Sequence, residues 1–227
     1  MQIMLLHPFI PAVQSSQASL FTEPDAEQQI GSQAWLLKRY AMPHVGAIYD
    51  ALARVLAGSP LRKMPTMRGW MSVAQSNCGA YGWISDSSGY RYVAIDPLTV
   101  EPWPAMPSVL QQLAISAAQR AGFSCFDPQA CLINYYEPGS KMGLHQDRDE
   151  ADLQAPIVSV SFGLPAVFLF GGLRRTDPVQ KVCLEHGDVM VWGGVDRQRF
   201  HGVMPVKSGV SLPSSAHRLN LTFRRVT

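Results

Sequence analysis

Cysteine is scarce in this sequence, and its spacing excludes two common kinds of site. Only four of the 227 residues are cysteine, and no two of them form a C-x-x-C pair. The sequence therefore predicts neither a zinc knuckle nor a dithiol redox motif. The thiols are expected to be reduced, and three of the four lie in apolar surroundings that predict burial.

Charge is also scarce. Charged residues make up 16% of the chain and the formal net charge is only +2, so no strong overall field would attract a polyanion. The basic residues are skewed, however, because only five of the 19 are lysine and the rest are arginine. Arginine favours bidentate recognition of carboxylates and phosphates. The composition therefore gives no sign of a strongly basic protein but leaves room for a local anion site.

No apolar run is long enough to cross a membrane. The first segment, 1–13, is apolar, but it carries no lysine or arginine and is interrupted by Pro8 and Pro11. It therefore has the character of neither a signal peptide nor a membrane span. With 47% hydrophobic residues, the chain is expected to be a globular, cytoplasmic protein with no membrane partner.

The first half of the sequence contains two helical patterns and a region of turns. Segments 44–58 and 107–121 have apolar residues at helical spacing, and glycines at 58 and 122 end them. Residues 62–104 are rich in aromatic residues, glycine and proline, which predicts hairpins and loops rather than long elements.

After residue 128, short apolar runs alternate with glycine, proline or aspartate. About eight such runs predict an all-β sandwich or barrel, and a double-stranded β-helix (jelly roll) fits best. The fold class is therefore mainly β, with supporting helices and an N-terminal α+β lid. Three parts are expected: an arm at 1–32, helices and lid at 33–126, and a jelly-roll core at 127–227. The predicted strands are 131–136, 141–146, 157–162, 166–170, 182–184, 189–192, 203–206 and 219–226.

His145 and Asp147 lie two residues apart at the end of a predicted strand. Side chains alternate along a strand, so this imidazole and this carboxylate point to one face and can bind one divalent cation. Two histidines and one carboxylate on one face of an octahedron are typical ligands of non-haem Fe(II) oxygenases. An H-x-D pair alone is weak evidence, because most such pairs have a surface or structural role.

The third ligand must come from a distant histidine. The candidates are His186, His201 and His217. His186 lies in a predicted turn, and His217 precedes a strand and would face away from Arg218. Because His201 opens a predicted strand, position alone favours it modestly over His186.

The C-terminal segment 218–224 alternates polar and apolar side chains without a break. Its leucines and phenylalanine would face the core, and its polar residues would face either solvent or a cavity. Two arginines and an asparagine that converge in a cavity would hold a dicarboxylate. Asn134 and Tyr136 repeat the i, i+2 spacing on another predicted strand. A solvated strand face is the plainer interpretation, but 2-oxoglutarate, the usual partner of a facial triad, would satisfy all of these groups.

Longer motifs resemble the AlkB family of nucleic-acid dealkylation dioxygenases. The most specific is R-x-N-x-T-x-R, which follows a distant H-x-D pair. The matching stretches are MSVA at 71–74, NCG at 77–79, GW at 82–83, IDP at 95–97, PWPAMP at 102–107, CLINYYEPGSKMGLHQDRDE at 131–150, APIVSVSFGLPAVFLFGG at 155–172, LEHGDVMVWGG at 184–194 and RLNLTFR at 218–224.

The resemblance implies a role for each matched polar residue. The implied Fe(II) ligands, which are also the catalytic residues, are His145, Asp147 and His201. The implied contacts to 2-oxoglutarate are Asn134, Tyr136, Arg218, Asn220 and Arg224. The implied substrate residues are Trp83, Tyr90 and Tyr92 of a nucleotide-recognition lid, together with Asp149, Glu150 and Arg175. Tyr135 stands where the family commonly has a basic residue and is expected to point away from the site.

The resemblance also implies an activity, the oxidative dealkylation of bases such as 1-methyladenine and 3-methylcytosine in DNA. O2 and 2-oxoglutarate would be converted to CO2 and succinate, and a methyl group would leave as formaldehyde. The target is expected to be single-stranded or to present a flipped base, and the protein to be a monomer. Three alternatives stay open: the same chemistry on RNA, protein or lipid, a non-enzymatic metal-binding β-sandwich, and a zinc hydrolase, although no glutamate is placed as its general base.

Overall fold

The structure is a computed structural model, and it describes residues 27–66, 69–209 and 216–227. Most of the predicted arm, 1–26, lies outside the described residues. The helices are α1 Val45–Gly58 and α2 Ser108–Arg120. The strands, in chain order, are β1 Glu27–Gly31, β2 Ala34–Leu37, β3 Arg62–Thr66, β4 Gly69–Gly79, β5 Gly82–Asp86, β6 Gly89–Val93, β7 Ile95–Asp96, β8 Glu101–Pro102, β9 Ala130–Tyr136, β10 Met142–His145, β11 Ile157–Gly163, β12 Ala166–Phe170, β13 Gln180–Leu184, β14 Val189–Trp192, β15 His201–Val203 and β16 Arg218–Arg224.

One large antiparallel sheet organises the molecule. Its strand order is β1-β2-β14-β11-β16-β9-β4-β3, and β16 lies near its centre. Both helices cover one face of this sheet, because their apolar sides share a buried cluster with alternate residues of the central strands. Ile48 and Leu110 from the helices meet Ile133, Leu221 and Phe223 from the sheet in that cluster. The apolar face of the C-terminal strand is therefore in the core, as its alternation predicts.

A smaller sheet covers the other face. It has the order β10-β15-β12-β13 and is also antiparallel. A second apolar cluster fills part of the space between the two sheets, with Phe168, Phe170, Leu184 and Trp192 among its members. Two facing antiparallel sheets with crossed connections confirm the predicted jelly roll.

A hairpin of β5 and β6 lies over the β3–β4 edge of the large sheet. Met64, Ile84 and Trp103 form a small separate core beneath it. At Gly82 a Cβ atom would lie only 2.2 Å from the Trp103 ring, so no larger residue fits at the start of the hairpin. This hairpin is the lid that the aromatic residues of 62–104 suggested.

The predicted elements agree with the structure except at three places. Both helices are confirmed within a few residues of the predicted ends. The region 62–104 contains one long strand, β4, with 11 residues, where only short elements were predicted. Residues 27–31, predicted as part of a loose arm, form β1 and pair with β2. The predicted strand 203–206 begins earlier, at His201, and shares only Val203 with the observed one.

The remaining bulk predictions concern thiols and membrane spans. All four cysteines are free; Cys78 and Cys131 are buried, whereas Cys125 and Cys183 are exposed. Two thiols, rather than the predicted three, are therefore buried. In the described part of the chain, neither helix is long and apolar enough to cross a membrane.

Replacing Arg62 by alanine is expected to lower the free energy of unfolding strongly. Arg62 and Asp96 form a buried pair, with Nη2–Oδ1 2.6 Å and Nη1–Oδ2 3.0 Å. Without the guanidinium a carboxylate is left buried without its charge partner, a change that costs about 3–5 kcal/mol. Urea unfolding followed by circular dichroism measures the loss. Lys63→Ala on the same strand breaks only the exposed pair with Glu137 and is the control, expected to cost about 1 kcal/mol or less; equal losses in both variants would contradict the prediction.

Candidate functional site

A cavity of about 400 Å³ lies between the two sheets and opens beneath the lid hairpin. Its floor is the polar face of β9 and β16, which the sequence left undecided between solvent and a cavity. All four polar residues of β16 line it, so the plainer interpretation of a solvated strand face is wrong. The other lining residues come from β3, β4, β10, β11, β12, β14, β15, the lid and the loop after β10.

Three metal-ligating side chains converge at one end of this cavity. The ligand atoms of His145, Asp147 and His201 all lie within 4.8 Å of one another. Each histidine has its Nε2 close to a different carboxylate oxygen of Asp147, at 3.6 Å from Oδ1 and 3.7 Å from Oδ2. The register pair His145↔His201 brings the two imidazoles to the same level of neighbouring strands β10 and β15. These three side chains could hold one divalent cation on one face and leave the rest of its coordination sphere to the cavity.

Backbone carbonyls orient both imidazoles. Nδ1 of His145 lies 2.8 Å from the Gly143 carbonyl, and Nδ1 of His201 lies 3.0 Å from the Arg199 carbonyl. A carbonyl only accepts, so Nδ1 carries the proton and Nε2 presents its lone pair to a metal. Burial lowers the pKa of His201 to about 4, and the neighbouring His145 adds to this effect. His201 is therefore neutral at pH 7, the form that binds metals.

Arg224 determines the state of the carboxylate ligand. Its Nε and Nη2 donate to Oδ2 of Asp147, at 2.9 and 2.7 Å. Burial alone would raise the pKa of Asp147, but Arg224, with smaller effects of the two histidines, holds it well below the usual range. Because the guanidinium occupies Oδ2, Oδ1 is the oxygen left for a cation.

The other two candidate histidines lie outside the cavity. His186 accepts a hydrogen bond from the Gly163 backbone at its Nδ1, 3.0 Å away, and packs against Phe162. His217 packs against the Tyr135 ring, with centroids 4.6 Å apart. Tyr135 itself belongs to the core on the opposite face of the sheet, so it points away from the site as expected. Of the three candidates, only His201 joins the H-x-D pair.

Arg218 has the features of an anion-binding group. It is only 1% exposed, and Nη2 donates to Ser161 Oγ at 3.0 Å. Its guanidinium lies over the Tyr136 ring, 4.9 Å from the centroid. Within the described residues Nε and Nη1 have no hydrogen-bond partner, and no carboxylate pairs with this charge. A buried cation without a counter-ion is costly, so the cavity fits an anion that brings a carboxylate to Arg218.

Amide side chains connect this floor into a row across three strands. Asn220 donates to Ser159 Oγ at 2.8 Å and to the Val160 carbonyl at 3.0 Å, so both of its N–H groups have acceptors in the protein. Its Oδ1 accepts from Asn134 at 3.2 Å, and Asn134 in turn accepts from Gln75 at 2.8 Å. Asn134 keeps one N–H for a cavity ligand. Sequence reasoning missed Gln75; a glutamine on the same strand face as Val73 and Asn77 was the available signal.

The lid residues reach the cavity through two consecutive acidic residues. Trp83 Nε1 donates to Asp149 Oδ2 at 2.7 Å, and Tyr92 Oη donates to Glu150 Oε1 at 2.7 Å. Trp83 and Tyr92 are cross-strand partners on the hairpin, so this pair of neighbouring side chains contacts the two consecutive acidic residues. Tyr90 stacks on Trp83 with ring centroids 5.4 Å apart and is half exposed. The five lid and loop residues thus lie together around the mouth of the cavity.

Glu150 and Arg175 differ from the remaining substrate residues. Glu150 is buried, and both of its oxygens are engaged: Oε2 with Arg197 at 3.1 Å, Oε1 with Tyr92 and, at 3.3 Å, with Arg224. This geometry favours a positioning role over direct contact with a substrate. Arg175 does not line the cavity, but its Nη1 donates to the carbonyl of Leu144, a lining residue, at 2.8 Å.

Arg197 is a second residue that sequence reasoning missed. It is 2% exposed and donates to three acceptors in the irregular segment after β10: the Asp147 carbonyl, Glu150 and the Ala155 carbonyl. That segment carries every acidic group of the cavity, so one guanidinium fixes their backbone. No local pattern distinguishes Arg197 from its surface neighbours, and only the folded chain shows its partners.

Loss of any one of His145, Asp147 or His201 is expected to reduce divalent-metal affinity by at least about tenfold while the fold survives. Both large apolar clusters are built from other residues, although the His201 ring packs against Phe168 and Trp192 of one of them. The fold should therefore survive each loss, with the melting temperature lowered in His201→Ala. Calorimetric titration of the three alanine variants with Mn(II) measures the affinity, and thermal melting checks the fold. His186→Ala is the matched control, since it removes a buried histidine from elsewhere; a loss of affinity there would overturn the choice of distal ligand.

Comparison with known proteins agrees with this geometry. The family model described as the 2OG-Fe(II) oxygenase superfamily matches residues 34–224. The alpha-ketoglutarate-dependent dioxygenase AlkB of Salmonella typhimurium is 50% identical over 200 residues, which cover 88% of this chain and 93% of that protein. The nucleic acid dioxygenase ALKBH1 of Mus musculus is 36% identical over 118 residues, 51% of this chain and 30% of that protein.

A solved structure supports the same assignment. OsALKBH1 matches with a TM-score of 0.76 and 28% identity, and the match covers 88% of this chain and 100% of that one. A family model and a relative that is 50% identical thus both extend over most of the chain, and the family model includes the metal-ligating triad and the polar strand. The chain belongs to the AlkB family of Fe(II)- and 2-oxoglutarate-dependent dioxygenases.

Proposed function

We propose that this chain oxidatively removes alkyl groups from ring nitrogens of bases in DNA, and in RNA as a second substrate. One observation carries the proposal: Arg218, a buried arginine with no counter-ion among the described residues, shares one cavity with a complete metal-ligating triad and an aromatic lid. The triad and the arginine account for the cofactor and cosubstrate of the family. The lid accounts for a flat, aromatic substrate, which a protein or lipid group would not need.

In this proposal His145, Asp147 and His201 hold Fe(II), and Arg218, Arg224, Asn134, Asn220 and Tyr136 hold 2-oxoglutarate. When bound, Fe(II), 2-oxoglutarate and O2 supply the oxidising chemistry, and hydroxylation of an N-methyl carbon leads to formaldehyde, with succinate and CO2 as coproducts. The protein residues provide position and charge. Arg218 is the carboxylate partner at the closed end of the cavity, and the second N–H of Asn134 is the neighbouring donor. Asn220 acts mainly by orienting Asn134, because its own N–H groups are occupied.

The lid would select the base. A base inside a duplex cannot reach a buried metal site, so the target must be single-stranded or flipped out, and a damaged base that pairs badly costs least to extract. Methylation at N1 of adenine or N3 of cytosine makes the ring cationic. Trp83 and the His145 ring would enclose such a ring, and an indole face favours a cation. Asp149, at the cavity mouth, would offset the positive charge.

The three parts of the chain divide this work. We propose that 127–227 forms the catalytic core and that 33–126 supplies the supporting helices and the nucleotide-recognition lid. The hairpin with Trp83, Tyr90 and Tyr92 is the part of the lid that faces the cavity. Of the predicted arm, 27–31 belong to the large sheet as β1, and 1–26 lie outside the described residues. A single chain contains every group that the reaction needs, which supports a monomer as the active unit.

The proposal is tested by measuring products. Purified protein with Fe(II) and 2-oxoglutarate is incubated with oligonucleotides that each carry one defined methyl lesion, as single-stranded DNA, duplex DNA and RNA. Formaldehyde and succinate in equal amounts, together with the restored base, are expected with single-stranded DNA. Succinate formation without repair of any of these bases would point to a protein or lipid substrate. No succinate under any condition would support the non-enzymatic alternative.

Arg218→Ala is expected to raise the 2-oxoglutarate KM sharply. Truncating one partner of a buried charged contact costs about 2–5 kcal/mol, and here the cosubstrate carboxylate would be the other partner. The KM is measured from the rate of succinate formation at varied 2-oxoglutarate concentration. Mn(II) affinity should stay unchanged in this variant, whereas Arg224→Ala should weaken both, because Arg224 also pairs with Asp147. Arg225→Ala, which removes a partly exposed arginine just after the same strand and outside the cavity lining, serves as the control. An unchanged KM in the Arg218 variant would remove the carboxylate assignment.

Asp149→Ala is expected to impair repair of cationic lesions more than repair of neutral ones. The carboxylate would form a charge-assisted contact with 1-methyladenine or 3-methylcytosine but not with 3-methylthymine. The difference should be about tenfold or more in relative kcat/KM. Succinate formation without a base should change little, because Asp149 is not one of the three metal-ligating side chains. Equal losses on both kinds of lesion would mean that Asp149 only supports Trp83 through their hydrogen bond.

A further inference from the structure

The row of amides on the cavity floor has a fixed direction. It starts at the Val160 carbonyl, which can only accept, so the Asn220 group that faces it at 3.0 Å must be the NH2. The carbonyl end of Asn220 then accepts from Asn134 and from Thr222. The carbonyl end of Asn134 accepts in turn from Gln75. A side-chain amide is often ambiguous between its two orientations, but a chain of amides that begins at a backbone carbonyl is not.

The consequence is an acceptor without a donor at the end of the row. Since its NH2 is directed to Asn134, Gln75 presents its carbonyl oxygen, Oε1, on the other side. Gln75 is 1% exposed, and Oε1 has no hydrogen-bond partner among the described residues. Leaving a buried acceptor unpaired costs about 1–3 kcal/mol, so a donor is expected from whatever fills the cavity.

The place of Gln75 in the sheet indicates which ligand could supply the donor. Gln75 lies on β4, one strand farther than Asn134 from Asn220 and Arg218 on β16. The lid strand β5 contacts β3 and β4, so Gln75 is on the lid side of the cavity floor. It lines the same cavity as Trp83 and Asp149. The cosubstrate end of the cavity thus lies on the Arg218 side of Asn134, and the base end lies on its Gln75 side.

The chemistry of the two ligands makes the same distinction. 2-Oxoglutarate is a dianion with a keto group, and it has no N–H or O–H to donate. Adenine and cytosine carry an exocyclic amino group next to the ring nitrogen that is methylated, whereas N3 of thymine has a carbonyl oxygen on each side. An amino group would satisfy Gln75 Oε1, and a carbonyl oxygen would face it as a second acceptor.

We propose that Gln75 is a specificity-determining residue whose carbonyl oxygen accepts a hydrogen bond from the exocyclic amino group of the target base. The proposal rests on the proposed base-dealkylation function and adds to it a residue that would favour adenine and cytosine over thymine. It acts through hydrogen-bond polarity and is separate from the charge selection assigned to Asp149.

Two substitutions at Gln75 test the acceptor. Gln75→Met keeps the approximate volume but removes the acceptor, and Gln75→Glu keeps an acceptor but loses the N–H that Asn134 uses. The measured quantity is the ratio of kcat/KM for 3-methylcytosine to that for 3-methylthymine in single-stranded DNA. We expect Gln75→Met to lower this ratio by about tenfold, the effect of one buried hydrogen bond. Gln75→Glu should keep the preference for 3-methylcytosine, although its 2-oxoglutarate KM should rise.

Charge is separated from hydrogen bonding by repeating the measurement with Asp149→Asn. 3-Methylcytosine is cationic and 3-methylthymine is neutral, so Asp149 also influences the ratio. If Gln75 reads the amino group, Gln75→Met lowers the ratio by a similar factor in both backgrounds. If the effect of Gln75→Met disappears with Asp149→Asn, Gln75 acts only through the charge of the base and the proposal is wrong.

Thr222→Val is the matched control. It removes a hydrogen bond to Asn220 at the far end of the same row without changing the acceptor of Gln75. The lesion ratio should stay at its wild-type value in this variant. An unchanged ratio in Gln75→Met, with wild-type repair intact, would mean that water satisfies Oε1, and it would overturn this inference alone. Absence of base repair in the wild-type protein would instead overturn the proposed function and this inference with it.

Discussion

The site depends on one buried ion pair, between Asp147 and Arg224. A carboxylate enclosed in a protein interior tends to take up a proton, and a protonated carboxyl is a poor metal ligand. Arg224 prevents this by holding the pKa of Asp147 below its usual range, against the effect of burial. The pair also joins the two sheets, because Arg224 ends β16 of the large sheet and Asp147 follows β10 of the small one. The charge that keeps the ligand ionised therefore also positions it.

A second pair extends this arrangement to the lid. Glu150 accepts hydrogen bonds from Arg197 and Tyr92 and forms an ion pair with Arg224, so it connects the metal-ligating segment with the hairpin that covers the cavity. Each of the two buried carboxylates has a guanidinium partner, and neither charge is left without compensation. Because Arg197 also holds the Asp147 carbonyl, the segment between β10 and β11 needs no regular secondary structure to be well defined. An irregular segment can then carry adjacent acidic groups with different roles.

The sequence predicted those features that follow from local alternation. The i, i+2 pairs of β16 and β9 are strand properties, and each faces the cavity as expected. The two residues of the H-x-D pair also meet there, but only His145 lies in β10, and Asp147 belongs to the irregular segment after it. The distal ligand was undecided from position alone, because the register of β10 with β15 depends on the whole fold. Arg197 and Gln75 were not predicted, since their partners lie 42 or more and 59 residues away along the chain. The length of β4 was missed because its small polar residues are buried only by neighbouring strands. Glu150 lay in a matching motif, but the motif could not show that both its oxygens are engaged.

Charge balance connects the cavity with its expected ligands. Asp147 and Glu150 offset Arg224 and Arg197, so Arg218, which has no carboxylate partner among the described residues, leaves the interior with one excess positive charge. A divalent cation and a dianionic cosubstrate cancel each other, so binding both does not change that excess. A cationic base would then enter a positively charged interior, and at low dielectric this repulsion is large. Asp149 supplies the missing negative charge at the mouth, where the base arrives. Recognition of a cationic lesion thus follows from the position of Asp149 at the mouth of the cavity. The free acceptor of Gln75 adds a requirement for a hydrogen-bond donor on the base, which charge alone cannot impose.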